Sequence, residues 1–126
     1  MNIKESLKYR TLVLDGAMGT MIQRYKFSEE DYRGTQFAHW PSNLKGNNDL
    51  LCLTQPNAIL EIHRQYLAAG ADILETNTFN ATSISMADYG MEEQVRAINI
   101  AAAQLAKKAS LEFTKKDPER PRFVAG

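Results

Sequence analysis

Short apolar segments that end in polar residues alternate along this chain with longer segments whose apolar residues recur every three or four positions. The segment Thr11 to Leu14 (TLVL) is apolar without polar alternation, and Asp72 to Thr76 (DILET) has its apolar pair in the middle. Such runs are typical of strands that are covered on both faces in a parallel sheet. Phe123 to Ala125 then reads as the opening of another strand. The pattern therefore predicts three strands.

Three segments have the spacing of helices. The second of them begins after Thr54 as N-cap, has Pro56 in its first turn and ends at Gly70. The third has the clearest period, with acidic residues near its start and basic residues near its end, as the helix dipole favours. In the first helix, after the loop GAMG, the spacing puts Met18, Met21, Ile22 and Tyr25 on one face. In the third, the residues that step by three and four are Val95, Ile98, Ala102, Leu105 and Ala109.

Residues 26–53 break this alternation, since they carry EED, a Trp-Pro pair and KGNND with few periodic signals. We interpret them as a long ordered insertion of irregular structure within one domain, residues 1–126. The order strand, helix, strand, helix, strand predicts an α/β fold of parallel units, either a doubly wound sheet or the opening of a (β/α)8 barrel. Because a TIM barrel takes about 250 residues, the chain would hold the first three strands of a truncated barrel.

Composition argues against several classes of function. With 15 basic and 15 acidic residues the net charge is zero, and no basic stripe indicates a nucleic-acid partner. The amino-terminal residues lack the apolar core of a signal peptide, and no apolar run approaches the roughly 18 residues of a membrane span. We therefore expect a cytoplasmic protein without a membrane partner. Cys52 has no second cysteine to pair with, and neither His39 nor His63 has a partner at metal-ligand spacing.

Asp15 and Glu75 occupy equivalent places, each at the carboxyl end of a predicted strand, where parallel α/β folds place their ligand sites. Two carboxylates would attract a cation or an ammonium group, or would act as an acid and base pair if their pKa values differed enough. Alternatively, Asp15 caps the following helix and Glu75 is solvated. The Thr and Asn side chains of LETNTFNATS either bind a small polar ligand or satisfy their own loop. The loop DGAMGT either holds an anionic group on its backbone N–H groups or forms a tight turn without a ligand.

Three segments in order carry a resemblance to one family. They are LVLDGAMGTMIQ (Leu12 to Gln23), FAHWPSNLKGNNDLL (Phe37 to Leu51) and AAGADILETNTFNAT (Ala68 to Thr82). Together they closely resemble the amino-terminal homocysteine-binding module of cobalamin-dependent methionine synthases (5-methyltetrahydrofolate-homocysteine methyltransferases). The first and third are shared across homocysteine S-methyltransferases, including betaine-dependent and S-methylmethionine-dependent enzymes, whereas the middle one resembles the cobalamin-dependent branch.

The resemblance implies a (β/α)8 barrel that binds homocysteine through a zinc ion. It also implies methyl transfer from methylcobalamin, recharged by 5-methyltetrahydrofolate, to give methionine. Carried over by motif, the substrate-binding residues are expected to be Asp15, Gly16, Glu75, Thr76, Phe79 and Asn80. The first two resemble residues that hold the amino acid end of the substrate, and Glu75 is included as their neighbour.

The resemblance also implies what this chain lacks. The family's three zinc-binding cysteines lie on later strands, beyond Gly126, and Cys52 matches none of them. We therefore expect no metal site, no bound cobalamin, no catalytic residue and no methyltransferase activity in the isolated chain. The implied partners are homocysteine and the cobalamin and folate modules of the same full-length protein. An uncovered strand edge would favour self-association.

Two other interpretations stay open. One is a homocysteine S-methyltransferase that uses betaine or S-methylmethionine, and the other is a binding or assembly module without catalysis.

Overall fold

The computed structural model describes residues 1–126 and contains seven α-helices and two strands. The helices are α1 (Ile3–Ser6), α2 (Met18–Gln23), α3 (Glu29–Arg33), α4 (Leu51–Thr54), α5 (Pro56–Ala69), α6 (Ser83–Met86) and α7 (Val95–Lys116). The strands are β1 (Ile73–Glu75) and β2 (Phe123–Ala125). Three single 3-10 turns lie at Asn48–Leu50, Ala87–Tyr89 and Glu92–Gln94.

The two strands pair in parallel, with Ile73 opposite Phe123 and Glu75 opposite Ala125. The parallel α/β class is therefore confirmed, and so is the strand at Phe123–Ala125. The prediction of three strands is wrong for this chain, because the first predicted strand forms only an isolated bridge. Whether the sheet opens a (β/α)8 barrel stays a prediction, as does self-association through its edge.

The segment Thr11 to Leu14 forms one bridge instead of a strand. Leu14 pairs in parallel with Ile73, and the N–H of Asp15 donates to the Ile73 carbonyl at 2.9 Å. The ladder extends in neither direction from this bridge. The N–H of Val13 donates to the Asp72 carboxylate at 2.9 Å, and the N–H of Glu75 donates to the Asp15 carboxylate at 3.1 Å, so neither N–H donates to a strand carbonyl. Val13 and Leu14 remain 53% exposed, so the apolar run is less covered than its sequence suggested.

Asp72 joins three segments at the amino-terminal side of the sheet. Its buried carboxylate accepts from Val13 N, from Arg10 Nη1 at 2.8 Å and from Arg120 Nε at 3.1 Å. Burial would raise the pKa of Asp72, but the Val13 N–H and the two guanidinium groups outweigh it and hold the pKa below 3.8. This buried ion pair fixes the end of the sheet opposite the residues of the predicted site.

Helix α5 ends as predicted, at Gly70 with a left-handed φ of 116°, and Pro56 stands in its first turn. The predicted N-cap was wrong. Thr54 ends α4, and Gln55 takes the cap position without a side-chain hydrogen bond. Residues 51–54 form a turn of their own, closed by Gln55 N donating to the Leu51 carbonyl at 2.8 Å, so Thr54 is already helical.

The period predicted for the third helix is confirmed in α7, which packs against α5 and buries Ile98, Ala102 and Ala109. The helix runs further than expected, to Lys116. Helix α2 is shorter than its pattern suggested, because Tyr25 lies beyond its last residue and stacks on Phe27. No helix, α7 included, combines the length and apolar character that crossing a membrane requires.

Residues 26–53, named here the 26–53 segment, are ordered and mostly irregular, as predicted. A capping box between Ser28 and Asp31 begins α3. Trp40 packs edge-on against Phe37 and donates its indole N–H to the Tyr89 carbonyl at 2.7 Å. The segment also contributes fully buried leucines to the main hydrophobic cluster, namely Leu44, Leu50 and Leu51. It is therefore part of the core and not an appended loop.

Candidate functional site

An open cavity of about 770 Å³ lies where β1 and β2 end. Its walls come from residues 15–20, from the 26–53 segment, from residues 75–80 and from the end of β2. All six sequence-predicted site residues line it, namely Asp15, Gly16, Glu75, Thr76, Phe79 and Asn80. The structure thus brings together residues that are up to 65 positions apart in the chain, Asp15 and Asn80.

Asp15 and Glu75 are neighbours, as their positions at two adjacent segment ends predicted. The backbone N–H of Glu75 donates to Asp15 Oδ1 at 3.1 Å. Burial raises the pKa of Asp15 to about 6, and the Glu75 charge adds to that rise while the Glu75 N–H opposes it. Helix α2 has no side-chain cap, so the alternative in which Asp15 caps that helix is wrong. Glu75 is exposed to solvent within the cavity.

Gly16 lies against a tyrosine of α5. The Tyr66 hydroxyl donates to the Ala17 carbonyl at 2.9 Å. A Cβ added to Gly16 would lie 2.9 Å from Tyr66 Cε1, closer than carbon atoms approach without a shift. Tyr66 thus helps to position the loop that follows Asp15.

The polar residues after β1 divide into two groups. Thr76 and Thr78 share a hydroxyl hydrogen bond of 2.7 Å, and Asn77 is buried with its amide donating to the Asn48 carbonyl at 2.9 Å. Each of these side chains has a hydrogen-bond partner within the protein, and the pair of threonine hydroxyls keeps one O–H free to donate. Phe79, 93% exposed, and Asn80, also exposed, stand at the cavity with no internal partner for their side chains.

Asp49 is a cavity residue that sequence reasoning missed. It is 3% exposed, and its Oδ2 accepts the backbone N–H of Asn80 at 2.6 Å. Burial raises the pKa of Asp49, and the Asn80 N–H opposes that rise. The only signal in the sequence was a carboxylate placed directly before the buried pair Leu50 and Leu51, which suggests an anchored rather than a solvated group.

The charged residues that line the cavity are all acidic. They are Asp15, Asp49 and Glu75, and no Lys, Arg or His belongs to the lining. A cavity of this charge favours a ligand with a positive group, such as an ammonium. The threonine hydroxyls and Asn80 add hydrogen-bonding groups, and Phe79 adds an apolar face.

Comparison with known proteins identifies the family. The sequence profile described as homocysteine S-methyltransferase matches residues 12–126. The chain belongs to the homocysteine S-methyltransferase family. Two crystal structures of the homocysteine methyltransferase MmuM from Escherichia coli are similar to it. The oxidised form has a TM-score of 0.75 at 26% identity, and the metallated form has 0.73 at 25%.

The family match leaves much of the relatives' length outside this chain. Each alignment covers 98% of this chain but only 39% and 40% of the two MmuM chains. This chain thus spans about two fifths of the length of MmuM.

The residues present do not fit the zinc ion that the resemblance implies. No group of three or more His, Cys, Asp and Glu side chains is arranged to hold a metal. Burial raises the pKa of Cys52 to about 12, so the thiol stays protonated, and it contacts Asn77 in the interior. His63 lies buried in α5, away from a second ligand, and His39 is exposed. That zinc ligands lie in other residues of the protein stays a prediction.

Proposed function

We propose that this chain is the amino-terminal part of the homocysteine-binding domain of a cobalamin-dependent methionine synthase. That enzyme transfers a methyl group from methylcobalamin to the sulfur of homocysteine and forms methionine. The observation that carries the proposal is the cavity, because all three segments with the family resemblance contribute walls to it. The reaction itself would need the remainder of the protein, including its zinc and cobalamin sites.

The part of the substrate that this chain binds is the amino acid end. Asp15 and Glu75 offer two adjacent carboxylates to the ammonium group of homocysteine. Thr76 and Asn80 offer hydrogen-bonding groups for its carboxylate, and Phe79 covers its methylene groups. The roles of these five residues and of Gly16, which allows the turn below Asp15, are part of the proposal.

The assignment of methylcobalamin as the donor rests on the sequence of the 26–53 segment. Its KGNNDLL stretch resembles the cobalamin-dependent branch, and Gly46, Asn48 and Asp49 of that stretch line the cavity. The alternative is a homocysteine S-methyltransferase with betaine or S-methylmethionine as donor. The likeness to MmuM, itself a homocysteine methyltransferase, fits that alternative equally well.

A donor assay on the complete protein separates these candidates. Methionine formation from homocysteine is measured with methylcobalamin plus 5-methyltetrahydrofolate, with betaine and with S-methylmethionine. We expect turnover with the first donor only. Turnover with betaine or S-methylmethionine would select the alternative, and homocysteine binding without turnover on any donor would select a non-catalytic module.

Calorimetry with homocysteine tests the binding residues directly. Only the ionised form of Asp15 attracts an ammonium group, and its pKa is raised to about 6. Affinity should therefore rise as the pH passes from 5 to 7, by about tenfold if Asp15 dominates. Asp15→Asn should remove most of that rise, whereas Asp88→Asn, at an exposed position outside the cavity, should leave it intact. Equal pH profiles in all three proteins would contradict the assignment.

A further inference from the structure

The 26–53 segment holds the loop after β1, residues 76–80, at Asn77, which also contacts Cys52, and at Asn80. Asn77 Nδ2 donates to the Asn48 carbonyl at 2.9 Å, and Asn80 N donates to Asp49 Oδ2 at 2.6 Å. The loop has other attachments at its two ends. Thr76 N donates to the Ala125 carbonyl at 2.9 Å, Asn99 Nδ2 donates to the Ala81 carbonyl at 3.0 Å, and Thr82 N donates to the Asn80 carbonyl at 2.8 Å. Between these ends, the 26–53 segment supplies the contacts that hold the loop over the cavity.

Asp49 is well placed to fix this loop. Leu50 and Leu51, which follow it, are fully buried in the main core, so the backbone that carries the carboxylate has little freedom. A backbone N–H that donates to a carboxylate forms a shorter and stronger bond than one that donates to a neutral oxygen. The 2.6 Å separation between Asn80 N and Asp49 Oδ2 fits such a bond.

A carboxylate at this position carries a cost in stability. Asp49 is almost completely buried, and the N–H of Asn80 is its one hydrogen-bond donor in the protein. Burying an ionised group with so few partners is unfavourable, and a neutral side chain would avoid the loss of hydration. The buried charge of Asp49 does not stabilise the fold, so we look for its role in the hydrogen bond that it accepts from the loop.

We propose that Asp49 is a positioning residue of the cavity. Its buried carboxylate holds the backbone N–H of Asn80 and thereby keeps the 76–80 loop in the conformation in which Phe79 and Asn80 face the ligand. The role of this contact in substrate binding rests on the function proposed above, whereas its effect on the loop does not. The 26–53 segment thus shapes a binding loop that lies about 30 positions further along the chain.

Kinetics on the complete protein test the role in binding. Asp49→Ala removes the acceptor, and Asp49→Asn keeps an amide oxygen that can accept the Asn80 N–H. We expect KM for homocysteine to rise about tenfold in the alanine variant, with a smaller change in kcat, and to return part of the way in the asparagine variant, whose neutral oxygen makes a weaker bond. Asp88→Ala, outside the cavity, is the control and should behave like the wild type. An unchanged KM in Asp49→Ala, even with a lower melting temperature, would overturn the proposal. So would an asparagine variant that is as impaired as the alanine variant, because its amide oxygen still accepts the Asn80 N–H.

Hydrogen exchange on the complete protein without substrate tests the loop separately from the function. The amide of Asn80 should exchange at least about tenfold faster in Asp49→Ala than in the wild type, and Asp49→Asn should restore part of the protection. The control Asp88→Ala should exchange like the wild type in the peptide that spans residues 76–82. If exchange at Asn80 is unaffected by Asp49→Ala, the positioning role is wrong. If exchange responds while homocysteine does not bind the wild type, the proposed function fails and the positioning role stands.

Discussion

His63 should make the stability of this fold depend on pH. The side chain is fully buried in α5, and neither ring nitrogen has a hydrogen-bond partner. Burial lowers the pKa of His63 from 6.5 to about 4. Between these two pH values the unfolded chain binds a proton at this position and the folded chain does not. The free energy of unfolding must therefore fall as the pH falls from 6.5 to about 4.

The size of the His63 effect follows from the same two pKa values. One pH unit of difference corresponds to about 1.4 kcal/mol, so the whole shift is worth about 3 kcal/mol once the pH is below both values. At pH 5, which lies between the two, the loss relative to pH 7 is about 2 kcal/mol. For a domain with a total stability of roughly 5 to 15 kcal/mol, a loss of this size is readily measured.

The assay compares the wild type with His63→Leu by urea unfolding at pH 7 and at pH 5. Trp40, the single tryptophan, is half-buried and reports unfolding by fluorescence. The free energy of unfolding of the leucine variant minus that of the wild type should be about 2 kcal/mol larger at pH 5 than at pH 7. The raised pKa of Asp15 gives the opposite pH dependence below pH 6, but it is present in both proteins and cancels in the comparison.

The control is His39→Gln, which changes an exposed histidine and should leave the change in free energy of unfolding between pH 7 and pH 5 as it is in the wild type. A stability difference between the wild type and His63→Leu that is equal at both pH values would refute the reasoning. It would mean that the His63 ring is protonated as easily in the folded chain as in the unfolded one, and therefore that it is not isolated from water.

Three further predictions concern single side chains. Asp72→Asn should lower the free energy of unfolding by about 3 kcal/mol, because two guanidinium groups lose their shared buried carboxylate, and thermal denaturation checks this. Gly16→Ala should destabilise the protein by roughly 1 to 3 kcal/mol, because the added methyl group would contact the Tyr66 ring. Tyr66→Leu in the same protein should restore part of that loss, and a destabilisation that persists in full would argue against the contact. Cys52 should react with a thiol reagent only after denaturation, since burial raises its pKa to about 12, and rapid labelling of the folded protein would contradict that.

Local patterns in the sequence were enough for the two long helices, α5 and α7, and for the proximity of Asp15 and Glu75. The period of three and four residues locates α5 and α7, and the glycine at position 70 ends α5 through a left-handed conformation that only glycine adopts without strain. Asp15 and Glu75 were placed together because the carboxyl ends of parallel segments meet at one edge of a sheet. That inference needs only the direction of the segments, and the bond between Glu75 N and Asp15 Oδ1 confirms it.

Features that depend on distant partners were not visible in local patterns. The run TLVL reads as a strand, yet the carboxylate of Asp72, almost 60 positions away, accepts the Val13 N–H, and Asp15 accepts the N–H of Glu75, so only one bridge forms. Thr54 reads as a helix cap, but the turn Leu51–Thr54 places it inside a helix of its own. The strand prediction failed because of a contact with a distant residue, and the cap prediction failed because the residues just before Thr54 form a helical turn.

The 26–53 segment shows why the cavity wall was the hardest part to predict. Its sequence has few periodic signals, so nothing local indicates that residues 46–49 return to the end of β1. What brings them there is the burial of Leu44, Leu50 and Leu51 in the main core, which fixes the short stretch between them against the 76–80 loop. The segment that resembles the cobalamin-dependent branch is therefore inseparable from the core. Exchanging this segment for that of another member of the family would require its buried leucines to be accommodated as well as its polar residues.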